Sequence, residues 1–321
     1  MKRFKKLLVA TDTRLDRHWV VDKAGEIASE NHAAVKIVDV VPEISWIASK
    51  LTSDLVHMRS LYAQEVEAKL ESLATPLRDR GVDVTTKVLA GKASVEITRE
   101  VLRERHDLLI VVAKGKDSQR KGSFGYTATQ LLQTCPSAVW LVVDKPDTRI
   151  QHVLGCVDVS SDHPDDLELN DKVFELTSSI GEFLGARHSL LHAWRMQDEA
   201  LLNSRLQRAV VDGFTHDYYE STKKSFDKFL KFHDSSLDAD GVHLLKGRAP
   251  EVIERFVRDN AIDLVVMGTL ARSGLAGMLI GNTAEQVLDR IECSLLALKP
   301  YSFASPIKMK SYTRLSAASA S

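Results

Sequence analysis

At 321 residues, 44% of them hydrophobic and 27% charged, the chain is long enough for two domains of about 150 residues with full cores. A formal net charge of −1 supplies no global field to gather nucleic acid or an anionic membrane surface. No apolar run approaches the roughly 18 residues of a spanning helix, and the basic-then-apolar start MKRFKKLLVATD is cut by Asp12, short of a secretory signal. The three cysteines, Cys135, Cys156 and Cys293, are widely spaced with no CxxC, which fits a reduced cytoplasm.

The first half opens with a short apolar strand run, Lys6–Ala10, then an amphipathic helix over Val20–Ser29 and a strand over Val35–Val41. A longer helix over Leu61–Arg80 puts Leu61, Val66, Leu70, Leu73 and Leu77 on one face, with Pro76 expected to kink it or end it early. Val84–Leu89, a helix over Val95–Arg105, Leu108–Val112, a helix over Thr127–Thr134 and Ala138–Val143 follow. The second half repeats the alternation: Val153–Val157, Val173–Leu184, Ser189–Ala193, a long helical region to about His233, and Val242–Leu245. It ends with Glu251–Arg258, Leu264–Met267, Ala284–Asp289 and Leu295–Leu298. Near-continuous apolar strands separated by helices predict an α/β fold with a parallel sheet covered on both faces.

The alternation is a duplication. Gly91-Lys92-Ala93 recurs as Gly247-Arg248-Ala249, 156 residues later. Asp107-Leu108 recurs as Asp263-Leu264, and Gly125 to Gln130 as Gly281 to Gln286, in the same register. The predicted domains are residues 1–146 and 150–300, joined by a linker at Pro146 to Arg149. The Ser/Ala-rich stretch 301–321 reads as a disordered tail. The last strand of each half, Ala138–Val143 and Leu295–Leu298, would leave an apolar edge, so the halves are expected to associate as an intramolecular pseudo-dimer. Joining two chains into a homodimer through the same strands is the other arrangement.

The strand-to-Asp starts "LLVATD" and "VLGCVD", the Gly-x-Ala before each third helix, and "LVVMGTLARSGLAGMLIGNTAEQVL" together resemble the universal stress protein family. Two copies in one chain resemble its tandem type, over about residues 3–145 and 150–300. The resemblance implies two tandem five-stranded parallel sheets of order 3-2-1-4-5, Rossmann-like and akin to the adenine nucleotide alpha hydrolases. It also implies ATP or another adenine nucleotide as ligand, held by Gly-x-x-Gly, nine residues, then Gly-Ser or Gly-Thr. Asp12 and Asp158 stand where that resemblance implies a contact with the nucleoside; the other reading of each is an aspartate capping the loop that follows.

In the second half the pattern reads Gly268, Ala271, nine residues from Arg272 to Ile280, Gly281 and Asn282. Glycines let backbone approach phosphate oxygens, and the helix start beyond Gly281 offers N–H groups and a positive dipole end. Asn282 is a good N-cap, phosphates would sit at Gly281, Asn282 and Thr283, and Arg272 could pair with them. Ala271 puts a methyl group where the pattern has glycine. Two readings stand: a nucleotide loop, or a loop kept for packing.

The first half has Val112 at the first position, keeps Gly115 and Gly125, and ends in Tyr126, whose ring is expected to fill space beside the helix start. Lys114, Lys116, Arg120 and Lys121 crowd this loop, as an anion site or as a solvated run. The half reads as a degenerate, structural partner.

Neither a nucleophile–base motif nor a Walker sequence is present, so dedicated catalysis is not expected beyond slow ATP hydrolysis. His188 and His192 fall around a strand without a carboxylate or Cys cluster, which argues against a metal. Two apolar sets follow the second strands: Trp46, Ile47, Leu51, Leu55 and Met58, and Leu201, Leu202, Leu206, Val210 and Phe214. They read as flaps packed on the sheet or the other half, or as a wall for an apolar, lipid-like ligand. The function classes are thus a stress-response nucleotide sensor and a nucleotide-free interaction module.

Overall fold

The computed structural model describes residues 4–42, 53–116, 118, 122–143, 149–233, 237, 239–269 and 281–309. The first half runs β1 (Lys6–Ala10), α1 (Trp19–Asn31), β2 (Ala34–Val41), α2 (Ser53–Arg78), β3 (Val84–Ala90), α3 (Ala93–Glu104), β4 (Leu108–Val112), α4 (Tyr126–Thr134) and β5 (Ala138–Val142). The second runs β6 (His152–Cys156), α5 (Pro164–Leu184), β7 (Arg187–Trp194), α6 (Glu199–Arg205), α7 (Arg208–Phe232), β8 (Val242–Lys246), α8 (Ala249–Asp259), β9 (Leu264–Gly268), α9 (Asn282–Leu288) and β10 (Ser294–Leu298).

Each half builds a parallel sheet of the order expected, and the two sheets are one. The ten strands run β3-β2-β1-β4-β5-β10-β9-β6-β7-β8. Among the described residues only β5 and β10 pair antiparallel, with Leu295 opposite Leu141, Leu296 opposite Trp140 and Ala297 opposite Val139. The Val143 N–H extends this seam by donating to Ser294 Oγ at 3.2 Å. Two edges that would each have shown unpaired backbone groups satisfy one another. Antiparallel pairing also points the strands of the two halves in opposite directions, so their carboxyl ends open on opposite sides.

The period of two along each strand sorts side chains into two cores. Leu108 and Ile110 of β4 join a layer with α1, α2, α5 and α7, while Leu109 and Val111 join the opposite layer with α3, α4, α8 and α9. Both layers run through both halves.

Two helices begin well before the apolar periodicity does. Helix α2 starts at Ser53, and Pro76 lies inside it without ending it before Arg78, because only its last turn lacks the proline N–H. Helix α5 starts at Pro164, where a first-turn proline needs no N–H and Asp165 and Asp166 suit the positive end. His163 caps it, its Nδ1 accepting from the Asp165 N–H at 3.3 Å.

The tail is docked as far as Met309, where disorder was expected from residue 301. Its contacts reach α5 of one half and α3 and α4 of the other. Residues 310–321 and linker positions 144–148 lie outside the described residues. Among the described residues no helix is long and apolar enough to cross a membrane.

Candidate functional site

In the second sheet the strand order reverses between β6 and β9, the position where parallel sheets hold ligands at their carboxyl ends. A cavity of 300 Å³ lies there. The end of β6 supplies Val157 and Asp158, β7 supplies His192 and Ala193, and β9 supplies Met267 and Gly268. Gly281, Asn282 and Thr283 close it at the start of α9, and Asp166, Leu169, Asn170 and Val173 of α5 form a wall. Five of the residues expected at a nucleotide site, Asp158, Gly268, Gly281, Asn282 and Thr283, therefore line one cavity. Ala271 and Arg272 lie outside the described residues.

Each lining group has a local cause. A Cβ on Gly268 would stand 3.1 Å from Leu169 Cδ1, so glycine there admits α5 against the strand end rather than supplying a left-handed turn. The two ends of the loop are tied: Gly281 N–H donates to Thr269 O at 3.2 Å, and Thr269 N–H donates to Leu298 O at 3.1 Å. The Gly281 N–H is thus already engaged, which moves the donors for an anion to Asn282 and Thr283. Helix α9 is only 7 residues long, so its dipole is smaller than a full helix would give.

Asn170 was not anticipated. Its side-chain amide brackets the Asp158 backbone, accepting from Asp158 N–H at 2.9 Å and donating to Asp158 O at 2.8 Å. The signal was a lone Asn beside Leu169 and Val173 on an apolar face. His192 is buried, its Nδ1 3.0 Å from Val157 O. His188 and His192 share one face of β7, but four residues along a strand separate them by about 13 Å. Among the described residues no group of three His, Cys, Asp or Glu side chains could hold a metal ion.

A second chamber of 310 Å³ adjoins the first, sharing Asp158, His192, Ala193, Ala249, Asn282 and Thr283. Its outer wall is Trp194, Arg195, Gln197, Tyr218, Arg248 and Gln286. Arg248 is braced there by Glu251 at 2.8 Å and Gln286 at 3.3 Å.

In the first half, a cavity of 20 Å³ lies at the ends of β1 and β4 among Thr11, Leu15, His18, Val20, Val112 and Val142. Arg14 folds back on Asp12, with Nε and Nη2 each 2.8 Å from the carboxylate, and Lys116 N–H donates to the same group at 3.0 Å. Burial works to raise the Asp12 pKa; the Arg14 guanidinium and the N–H groups of Lys116 and Arg14 outweigh it and hold the carboxyl below its ordinary value. A Cβ on Gly115 would lie 3.1 Å from Asp12 Oδ2, so Gly115 serves this internal closure. Gly125 N–H donates to Ala113 O at 2.7 Å, the counterpart of the Gly281 tie.

Tyr126 does not fill space beside the helix start. The residue is 60% exposed, with Lys92 Nζ 5.7 Å from its ring centroid. Lys114 donates to Gly122 O at 3.1 Å and Lys116 pairs with Asp16 at 3.6 Å; Arg120 and Lys121 lie outside the described residues.

The second apolar set does not pack as expected either. Leu201, Leu206, Val210 and Phe214 are exposed, and the buried face of α7 is Val211, Thr222 and Phe226. Neither these four nor Leu202 line the two chambers. Trp46, Ile47 and Leu51 and the side chain of Leu55 lie outside the described residues, and Met58 is exposed.

Comparison with known proteins agrees with this architecture. The universal stress protein family model matches twice, over residues 3–143 and 151–299. Universal stress protein E of Salmonella typhi is 26% identical over 318 residues, 96% of this chain and 98% of that one. Its namesake from Photorhabdus laumondii is 27% identical over 317 residues, 96% and 99% of the two chains. A functionally unknown protein from Pseudomonas aeruginosa PAO1 superposes with a TM-score of 0.72 at 21% identity, covering 94% of each chain. A universal stress protein from Archaeoglobus fulgidus gives a TM-score of 0.61 at 14% identity, over 91% of this chain and 98% of that one. With both halves matched and one fold repeated in tandem, the chain belongs to the universal stress protein family.

Proposed function

We propose that the second half binds one adenine nucleotide as a sensor, and that the first half binds none. The observation that carries this reading is the 300 Å³ cavity at the second switch point, lined by Asp158, Gly268, Gly281, Asn282 and Thr283, where the first half has Arg14 bonded to the Asp12 carboxylate. Its volume meets the lower end of small-molecule sites, about 300–1,000 Å³, and the adjoining chamber extends it. In this reading the base and ribose lie against Asp158 and the ends of β6 and β7, and the phosphates meet Asn282 and Thr283. The two aspartates differ in their neighbours: Asp158 Oδ1 accepts from the N–H and hydroxyl of Ser160, where Asp12 is held by the Arg14 guanidinium. In this reading the site binds, with turnover below the usual enzyme range of about 1–1,000 per second. The three cysteines are thiols rather than disulfides, which suits a reducing compartment such as the cytoplasm.

The test is to denature the purified full-length protein and identify released nucleotide by absorbance and mass spectrometry, for wild type, Asp158→Ala and Asp12→Ala. The proposal expects nucleotide with wild type and with Asp12→Ala, and a marked loss with Asp158→Ala. Equal loss in both variants, or an Asp12-dependent signal alone, would place the ligand elsewhere.

A further inference from the structure

Beyond β10 the chain does not leave the molecule. Tyr301 N–H donates to both oxygens of Glu168, at 3.0 and 3.3 Å, and Ser302 Oγ donates to Asp165 Oδ2 at 2.8 Å. Lys172 completes the anchor: it pairs with Glu168, donates to Lys299 O at 3.2 Å and lies 3.4 Å from the Tyr301 ring centroid. At the far end Ser305 Oγ donates to Thr134 O at 2.6 Å, a carbonyl the end of α4 leaves without a helical partner. Arg99 of α3 donates to Lys308 O at 3.1 Å. The segment grips one half at each end.

We propose that Lys299–Met309 is a strap through which the first half sets the position of α5, the wall of the second-half cavity. The same turns of α5 carry both functions. Asp165, Glu168 and Lys172, spaced i, i+3, i+7, face the strap, while Asp166, Leu169, Asn170 and Val173 on the adjoining face line the cavity. Any shift of the strap that moves the first face moves the second, and Asn170 passes the shift to the Asp158 backbone. The strap is also built to release. Tyr301 is 82% exposed and Ser302, Ala304, Lys308 and Met309 are exposed, so solvent competes for its bonds and it opens at small cost. A cheap local opening that changes the wall of a cavity lets a distant group bias that cavity's population. This assigns the first half a task other than binding, and it holds whatever the cavity takes.

The test perturbs one end and reads the other, in the full-length chain without ligand. Hydrogen exchange is followed by mass spectrometry for wild type, Ser305→Ala and Arg99→Ala, with Lys223→Ala on α7 as control. Loss of one strap bond is expected to speed exchange over residues 301–309 about fivefold, the worth of a typical hydrogen bond. Exchange over residues 167–173 should rise with it by about twofold or more, with α7 unchanged. If residues 301–309 speed up while 167–173 keep wild-type rates, the strap is a tether only and the proposal fails. It fails equally if neither Ser305→Ala nor Arg99→Ala alters residues 301–309.

Discussion

Lys299 carries a cost that the structure lets one calculate. It follows the last residue of β10, is 6% exposed, and has its ammonium 4.7 Å from the Phe303 ring centroid. Burial lowers its pKa from 10.5 to about 8, against an opposing pull from Cys135. At pH 7 the group is charged in both the folded and unfolded chain, so the folded state bears the whole penalty, about 3 kcal/mol for that lowering. The ring returns about 1 kcal/mol of it. Lys299→Met keeps the length and apolar stem, and is expected to stabilise the protein by about 2 kcal/mol at pH 7. The sign with pH follows from the lowered value. As pH rises from about 8 towards 10.5 the folded chain sheds the proton first, so wild type gains stability and the advantage of the variant shrinks. Urea denaturation of both proteins at pH 7 and pH 9.5, followed by tryptophan fluorescence, measures the difference directly. A variant less stable at pH 7, or an advantage that does not change between the two pH values, would refute the reasoning.

Gly155→Ala should destabilise by about 1–3 kcal/mol, because its methyl would sit 2.5 Å from Thr177 Oγ1 and 3.0 Å from Leu190 Cδ1; a melting temperature equal to wild type would contradict this packing. His152 is buried, with Nε2 2.8 Å from Ser189 Oγ, and burial lowers its pKa below the ordinary 6.5. Its neutral form therefore contributes stability that is full above about pH 6.5 and is lost as pH falls through the lowered folded value. Stability measured at pH 7 and pH 5 should drop less for His152→Gln than for wild type, and equal drops would show that another group governs the acid limb.

The duplication was legible because strands and glycines recur in one register, and strand pairing then left β5 and β10 as the two edges that could meet. Helix α5 was read too short because its first turns carry the polar face that the strap covers, not a repeating apolar stripe. At the sites, Asp12 and Asp158 look equivalent, and what separates them is the residue two positions on. Arg14 pairs with the first carboxylate, and Ser160 donates its N–H and hydroxyl to the second. That distinction was readable as a cation beside an acid. The outward turn of Tyr126 was not, since no periodicity in the sequence says which way a side chain at a helix start will point. The buried state of Lys299 and the docking of residues 301–309 are likewise tertiary: a lysine and a Ser-rich tail look solvent-exposed until a neighbouring half supplies the surface.

The most direct measurement is the stoichiometry of ATP binding to the full-length chain by titration calorimetry, with wild type and Gly281→Val compared. Gly281 lines the cavity and ties the loop end to Thr269, so a branched side chain there should both crowd the phosphates and spread the loop. The account predicts a single site in wild type and no measurable heat in Gly281→Val. Two sites in wild type, no binding at millimolar ATP, or unchanged affinity in Gly281→Val would contradict it.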